Sequence, residues 1–115
     1  MNKIFKILVL IFLSLFSSNY FFVYAEEKIK IGLLVPITGD NKNLGQQIVK
    51  STRIALNEIG SDKIEIYLKD TNSDPNQTLK AATELRDIGI KIVIGPIFYE
   101  SLIYLDEISE LTFLS

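Results

Sequence analysis

Apolar residues along this chain follow two different spacings. Short runs in which apolar residues are continuous, or occupy every second position, predict β-strands, because alternate side chains of a strand share a face. Four such runs lie at 29–35, 63–69, 91–94 and 112–115. Between them, apolar residues spaced three or four positions apart predict amphipathic helices. Three such helices are predicted at 43–59, 75–88 and 100–110.

The first two runs differ in pattern. Residues 31–35 are apolar apart from Gly32, which is typical of a strand buried on both faces of a parallel sheet. The run at 63–69 alternates apolar with polar residues, which predicts a half-buried strand nearer the sheet edge. Strands that alternate with helices form right-handed βαβ units. The predicted fold class is therefore α/β with a parallel sheet.

Prolines, glycines and one aspartate mark the predicted ends of these elements. Pro36 ends the first strand, because proline has no N–H for the next ladder bond. Gly60 and Gly89 are natural C-terminal stops for the first two helices. Asp74 is predicted to cap the second helix, with proline at its first position and Gln77 completing a capping box.

Residues 1–25 have the features of a secretory signal peptide. Lys3 and Lys6 precede an apolar stretch, and the segment ends in Val-Tyr-Ala, which suits signal peptidase. We therefore expect cleavage after Ala25 and a mature part formed by 26–115. The alternative is an uncleaved membrane anchor, since the apolar stretch approaches the length of a short membrane span.

The composition argues against several classes of function. The chain contains neither histidine nor cysteine, so the commonest general base, the commonest neutral metal ligand and disulfides are absent. We therefore expect no enzymatic activity and no cofactor. All 14 acidic residues and 10 of the 12 basic ones lie from Glu26 onward, which argues against a nucleic-acid partner. Contact with a membrane is expected only through the signal peptide.

Polar loops follow three of the predicted strands, at 36–44, 70–74 and 95–101. In a parallel sheet these loops meet at one edge, where α/β proteins bind ligands. The first and third precede helix N-termini, whose N–H groups attract anions such as carboxylates. The alternative is that their prolines and glycines only form turns.

Two other interpretations concern nucleotides and phosphate. The glycine spacing of the first loop fits neither a dinucleotide fingerprint nor a P-loop. Asp70 is interpreted as a loop aspartate beside a helix cap, and the alternative is a phospho-acceptor at a strand end.

Three motifs occur in order along the mature part: K-I-G-L-L-V-P-I-T-G at 30–39 with Gly45 behind it, D-x-x-x-D-P at 70–75, and I-V-I-G-P at 92–96. Together they resemble the leucine-binding-protein-like, type 1 periplasmic binding proteins. The resemblance implies two α/β lobes that close on a ligand like a hinged clamp. It also implies that 26–115 form part of the N-terminal lobe.

The third motif extends into G-P-I-F-Y-E-S at 95–101 and looks closest to the penicillin-binding protein activators, a subgroup of that family. The Phe-x-Ser ending at Ser115 is similar to theirs as well. Amino-acid-binding members place a small hydroxyl residue four positions after the glycine, where this chain has Tyr99, and an aromatic residue near Leu44. Ser101 or backbone N–H groups could substitute as ligand contacts. The resemblance thus implies these candidate ligand-binding residues: Thr38, Gly39, Leu44, Gly95, Tyr99, Ser101 and Ser115.

By this resemblance the chain is a periplasmic protein that captures a small polar ligand, such as an amino acid, for uptake through the permease of an ABC transporter. The alternative is an activator of cell-wall synthesis that binds a penicillin-binding protein. We also expect that this chain is a fragment and does not bind ligand by itself. A clamp with one jaw loses most of the contact area that gives small-molecule sites their affinity.

Overall fold

The computed structural model describes residues 2–16 and 26–115. Within these residues the chain forms an α/β unit whose four strands are all parallel, as the sequence predicted. The strand order is β2-β1-β3-β4. The elements are α1 (Asn2–Phe16), β1 (Ile29–Val35), α2 (Lys42–Ile59), β2 (Ile64–Asp70), α3 (Pro75–Asp87), β3 (Ile92–Ile94) and β4 (Thr112–Leu114).

Strand β1 lies inside the sheet, between β2 and β3. Its continuous apolar run fits this place, because both faces of its carboxyl half are covered and Leu33, Leu34 and Val35 are buried. Strand β2 lies at an edge of the sheet, as its alternating sequence predicted. Its burial does not alternate strictly, because Tyr67 is half-buried and Leu68 is exposed. The two strands pair in register from Ile29–Ile64 to Val35–Asp70, so their carboxyl ends are level.

One face of the sheet holds the main apolar core. Gly32 leaves room on this face for α3, since a Cβ there would contact the Leu85 side chain. The core also includes residues that follow β3, so the last part of the chain contributes to it. Its buried members are Leu34, Ala81, Ala82, Leu85, Ile90, Val93, Leu105, Ile108 and Leu111.

The opposite face is covered only in part. Helix α2 packs there against β1, yet Gly45 is its one fully buried residue. In the middle of the helix Ile48 and Leu56 are half-buried, whereas Leu44 and Ile59 at its two ends are exposed. The apolar residues that β3 and β4 direct to this face are Ile92, Ile94 and Leu114, and all three are exposed.

The prediction of a third helix at 100–110 is wrong. Two short 3₁₀ helices take its place, Tyr99–Leu102 and Leu105–Glu107. The buried residues of this segment explain the difference, because Leu105, Ile108 and Leu111 are spaced three positions apart. That spacing matches the three residues per turn of a 3₁₀ helix, whose side chains at i and i+3 are eclipsed.

The helix caps agree with the sequence in most respects. Asp74 caps α3 by accepting a hydrogen bond from the Gln77 amide at 2.7 Å. Gly60 ends α2 in a left-handed conformation. The reciprocal bond of a capping box is absent, because Gln77 Nε2 donates to the Asp70 carbonyl at 3.3 Å instead. Ile88, the residue that follows the last residue of α3, is half exposed.

The N-terminal helix α1 coincides with the apolar part of the predicted signal peptide, and the side chains of residues 2–15 are exposed. Among residues 2–16 and 26–115, no helix has the length and apolarity needed to cross a membrane. The predicted cleavage site after Ala25 lies outside the described residues.

Candidate functional site

Three loops follow the carboxyl ends of β1, β2 and β3, at 36–41, 71–74 and 95–98. Because the strands are parallel, all three loops emerge at the same edge of the sheet. We refer to them as the first, second and third loops. The first loop is central, since β1 is hydrogen-bonded to both β2 and β3.

Asp70, the last residue of β2, binds the first loop through its carboxylate. Oδ1 accepts hydrogen bonds from the amides of Ile37 (2.8 Å) and Thr38 (3.3 Å), and also from the amide of Asn72 (2.9 Å). Oδ2 accepts from the Thr38 hydroxyl at 2.5 Å. The level pairing of Val35 with Asp70 puts the carboxylate beside the first residues after β1.

These bonds set the ionisation of Asp70. Partial burial raises the pKa of its carboxyl group, but hydrogen bonds from the Thr38 hydroxyl and from the amides of Asn72, Ile37 and Thr38 lower it by more. The pKa therefore lies below its ordinary value of 3.8. Hydrogen bonds to a charged carboxylate favour the ionised form, so Asp70 is an anion at neutral pH.

The second loop folds over the first. Asn72 and Ser73 both adopt positive φ, at 46° and 54°, and the Asp74 amide donates to the Thr71 carbonyl at 2.9 Å to close a tight turn. Gly39 has a φ of 80°, which favours glycine, and a Cβ there would overlap Asn72 Oδ1. The Asn72 side chain thus lies directly over Gly39.

Side chains add to this connection. Asn41 Nδ2 donates to Ser73 Oγ at 3.1 Å, and Asn72 Oδ1 lies 3.4 Å from the Thr38 hydroxyl oxygen. Two consecutive residues with positive φ are uncommon outside glycine, and they persist where the surroundings hold them. The contacts from the first loop are what hold Asn72 and Ser73.

The third loop is built differently. Gly95 has a φ of 99°, and a Cβ there would overlap the Leu34 carbonyl oxygen, so only glycine fits. The Tyr99 side chain is 78% exposed at the carboxyl edge of the sheet. Ser101 is 1% exposed, and its hydroxyl has no hydrogen-bond partner among the described residues.

The helix N-termini have fewer free N–H groups for binding an anion than the sequence predicted. In the first turn of α2 the amides of Leu44 and Gly45 both donate to the Asn41 carbonyl, and the Lys42 amide donates to the Gly39 carbonyl. Beyond the third loop there is no α-helix, only the four-residue 3₁₀ helix Tyr99–Leu102. Neither loop therefore leads into a helix start with a full set of free N–H groups.

Gly45 sets how closely α2 approaches β1. It is buried, and a Cβ at this position would overlap the carbonyl oxygen of Pro36, the first residue after β1. The preceding residue, Leu44, is 40% exposed at the start of the helix. The absence of a side chain at Gly45 is thus what lets α2 pack directly on the first loop.

The predicted ligand residues fall into three groups. Thr38, Gly39 and Leu44 lie on the first loop or at the helix start behind it, while Gly95, Tyr99 and Ser115 follow β3 and β4. These six residues share the carboxyl edge of the sheet. Ser101 differs, since it is buried in the 3₁₀ helix that packs against α3.

The sequence interpretation missed the structural part that Asp70 and Asn72 play at this edge. Asp70 was interpreted as a loop aspartate beside a helix cap, but it is the last residue of β2 and accepts bonds from Ile37 and Thr38. One available signal was that Asp70 directly follows a predicted strand of the sheet. Within the described part of the chain, no group of acidic residues is arranged to hold a metal ion.

A parallel sheet with its polar loops gathered at one edge is the arrangement in which α/β proteins bind ligands. Residues 28–102 match the family described as periplasmic binding protein. The chain belongs to this family, which is a solute-binding family whose members are exported to the periplasm. Its resemblance to the leucine-binding type 1 proteins is thereby confirmed.

Among relatives, the Leu/Ile/Val-binding protein BraC3 of Rhizobium johnstonii is 31% identical over 90 residues, which cover 73% of this chain and 24% of that protein. The chain thus spans about a quarter of the length of this relative.

Solved structures show the same fold. A solute-binding protein of an ABC transporter from Rhodopseudomonas palustris, in complex with 3,4-dihydroxybenzoic acid, matches with a TM-score of 0.61 and 29% identity, over 64% of this chain and 22% of that one. Full-length LpoA from Haemophilus influenzae matches with a TM-score of 0.62 and 24% identity, over 76% of this chain and 16% of that one.

Proposed function

We propose that this chain is the first part of the N-terminal lobe of an exported solute-binding protein, and that the protein captures a small polar ligand, such as an amino acid, for an ABC transporter. The observation that carries this proposal is the gathering of the polar loops at the carboxyl edge of the sheet, in a chain of this family. We further propose that residues 1–25 direct export and are removed after Ala25.

The ligand chemistry follows from what the edge offers. The relative BraC3 is named for binding leucine, isoleucine and valine, and the Rhodopseudomonas palustris structure holds 3,4-dihydroxybenzoic acid. All of these ligands combine a carboxylate with an apolar body. Leu44 and Tyr99 supply exposed apolar and aromatic surface for such a body. The amides of Ile97 and Tyr99, which have no partner among the described residues, are available as donors for the carboxylate.

The ligand would be held by this lobe without chemical change. The described residues include no histidine or cysteine, and Asp70, which has a lowered pKa, is fully engaged with loop amides and the Thr38 hydroxyl. A carboxylate held in that way is a poor general base, because its lowered pKa and its hydrogen bonds reduce its affinity for a proton. We therefore propose that the protein is not an enzyme.

The test is calorimetry on the full-length protein that contains this lobe, with the standard amino acids and 3,4-dihydroxybenzoate as ligands. We expect saturable binding of at least one of them, and loss of affinity in a variant with Tyr99→Asp. Glu58→Ala is the control, because Glu58 is exposed near the C-terminal end of α2, at the opposite end of the helix from the loops. Failure of every ligand to bind the correctly folded protein would contradict amino-acid capture.

A second candidate is a protein-interaction role of the penicillin-binding protein activator type. The observation that favours it is the third loop, where an exposed Tyr99 stands in place of a small hydroxyl residue and Ser101 is buried away from the edge. Binding of an isolated penicillin-binding protein to the immobilised full-length protein, lost in the Tyr99→Asp variant, would support this role. Solute binding without such an interaction would support transport.

A further inference from the structure

Four hydrogen bonds converge on a single carboxylate at the ligand edge. Asp70 accepts them from the amides of Ile37, Thr38 and Asn72 and from the Thr38 hydroxyl. Three of the four donors belong to the first loop, although Asp70 ends a different strand. The carboxylate therefore joins the loop that follows β1 to the loop that follows β2.

We propose that Asp70 is the positioning residue of the ligand site, and that its ionised carboxylate fixes the conformation in which the first loop meets the solute. The proposal rests on the proposed function for the statement that the first loop contacts ligand. The bonds to Asp70, together with the fit of Asn72 over Gly39, form what we name the Asp70 clasp.

The clasp also determines which groups of the first loop remain for a ligand. It takes up the N–H groups of Ile37 and Thr38 and the proton of the Thr38 hydroxyl. A hydroxyl has one proton to donate, so Thr38 has none left for a solute carboxylate while Asp70 is ionised. Thr38, predicted as a ligand contact, then acts as part of the clasp.

A carboxylate suits this task better than a neutral group. Hydrogen bonds to an ionised acceptor are about twice as strong as those between neutral groups. The site is also only partly buried, so the charge keeps contact with water and its burial costs less than in a core.

The charged groups near Asp70 do not contribute to the shift of its pKa, which comes from burial and hydrogen bonds. Lys69, Lys80 and Glu84 line the groove beside it, and Lys69 Nζ is bound to Glu84 Oε2 at 2.6 Å. Asp74 caps α3 from the second loop. In the first loop, Asp40 has no hydrogen-bond partner among the described residues, and Lys42 follows it at the start of α2.

The test is a pH titration of the isotope-labelled 115-residue chain by two-dimensional NMR, without any solute. The amide signals of Ile37, Thr38 and Asn72 should shift together, with one midpoint below 3.8, because all three report the same carboxylate. The shared shift should vanish in Asp70→Asn and persist in Asp40→Asn. Independent midpoints in the wild type, or a shared shift that survives Asp70→Asn, would overturn the proposal.

A second measurement covers the case in which the chain unfolds in acid before Asp70 titrates. At neutral pH, the Ile37 amide should exchange its hydrogen about tenfold faster in Asp70→Asn than in the wild type, because it loses a charge-assisted bond. Exchange of the Leu85 amide in α3 should not change. Equal exchange of the Ile37 amide in both proteins would contradict the proposal. Because neither measurement uses a solute, a confirmed clasp with no solute binding would refute the proposed function and the ligand contact of the first loop, but not the clasp itself.

Discussion

The first and third loops lie next to each other at the same sheet edge, yet they are held in opposite ways. The first loop has its amides and hydroxyl bound to Asp70, its glycine covered by Asn72, and its start packed against Gly45. The third loop has a glycine fitted against β1, but beyond it Tyr99 is exposed and the Ser101 hydroxyl is unpaired within the described residues.

The two loops thus differ in how firmly they are held at the carboxyl edge of the sheet. A loop whose polar groups are already satisfied supplies a fixed surface, because moving it would break several hydrogen bonds at once. An exposed side chain such as that of Tyr99 can be substituted with little loss of stability. The first loop is therefore held in one conformation by its own bonds, whereas the segment after the third loop leaves side chains exposed at the same edge of the sheet.

The largest effect is expected where the first loop meets α2. In Gly45→Ala the new Cβ overlaps the Pro36 carbonyl oxygen, so helix and loop must separate. We expect the free energy of unfolding to fall by about 2–3 kcal/mol, as for overpacked sites. Urea denaturation followed by circular dichroism measures it, with the exposed Ser51→Ala on the same helix as control. An unchanged midpoint in Gly45→Ala would show that the first loop is not fitted tightly to α2.

A smaller effect is expected from acid. Because the pKa of Asp70 is lowered in the folded chain, its contribution to stability is present above 3.8 and is lost as the pH falls through the folded value. At neutral pH we expect Asp70→Asn to be less stable than the wild type by about 1.5–3 kcal/mol, the size of a hydrogen bond to a charged group. The gap should close as the pH falls below 3.8. A gap that stays constant with pH would mean that the charge plays no part.

An effect of opposite sign is expected in the 3₁₀ helix that follows the third loop. Ser101 is buried with an unpaired hydroxyl, and an unpaired buried polar group is unfavourable. Ser101→Ala should therefore leave thermal stability unchanged or raise the free energy of unfolding by up to about 1 kcal/mol. Thr78→Val serves as the contrast, because the buried Thr78 hydroxyl donates to the Asp74 carbonyl at 2.8 Å and its loss should destabilise. Marked destabilisation by Ser101→Ala would indicate a hydrogen bond to Ser101.

The smallest effect on stability is expected at Tyr99. Its side chain is 78% exposed, so Tyr99→Ala should change the free energy of unfolding by less than about 0.5 kcal/mol. Thermal unfolding of the two proteins checks this. A loss of more than 1 kcal/mol, roughly the size of a lost packing contact, would place Tyr99 in the fixed part of the edge instead.

Much of the fold was predictable from the sequence, because each strand and the first two helices carry a clear hydrophobic period. The alternation at 63–69 even predicted that β2 lies at an edge. The segment after the third loop was not predictable in the same way. Its apolar residues at 102, 103, 105, 108 and 111 fit both a helical period and a spacing of three, and only their packing against the core selects the latter.

The location of the candidate site could be predicted from the sequence, but the hydrogen bonds between its residues could not. The order of strands and loops indicates the carboxyl edge, which is why six of the seven predicted ligand residues lie there. The bonds of Asp70 to Ile37 and Thr38 join positions more than thirty residues apart in sequence. They depend on the register of β2 beside β1, which hydrophobic periodicity does not specify.

Hydrogen–deuterium exchange of the wild-type chain at neutral pH compares the two loops in a single experiment. The Ile37 and Asn72 amides are bound to Asp70, whereas the Ile97 and Tyr99 amides have no partner among the described residues. We predict that the first pair exchanges at least about tenfold more slowly than the second, each relative to the rate of an unfolded chain. Equal protection of both pairs, or faster exchange at Ile37 and Asn72, would contradict a fixed first loop beside a free third loop.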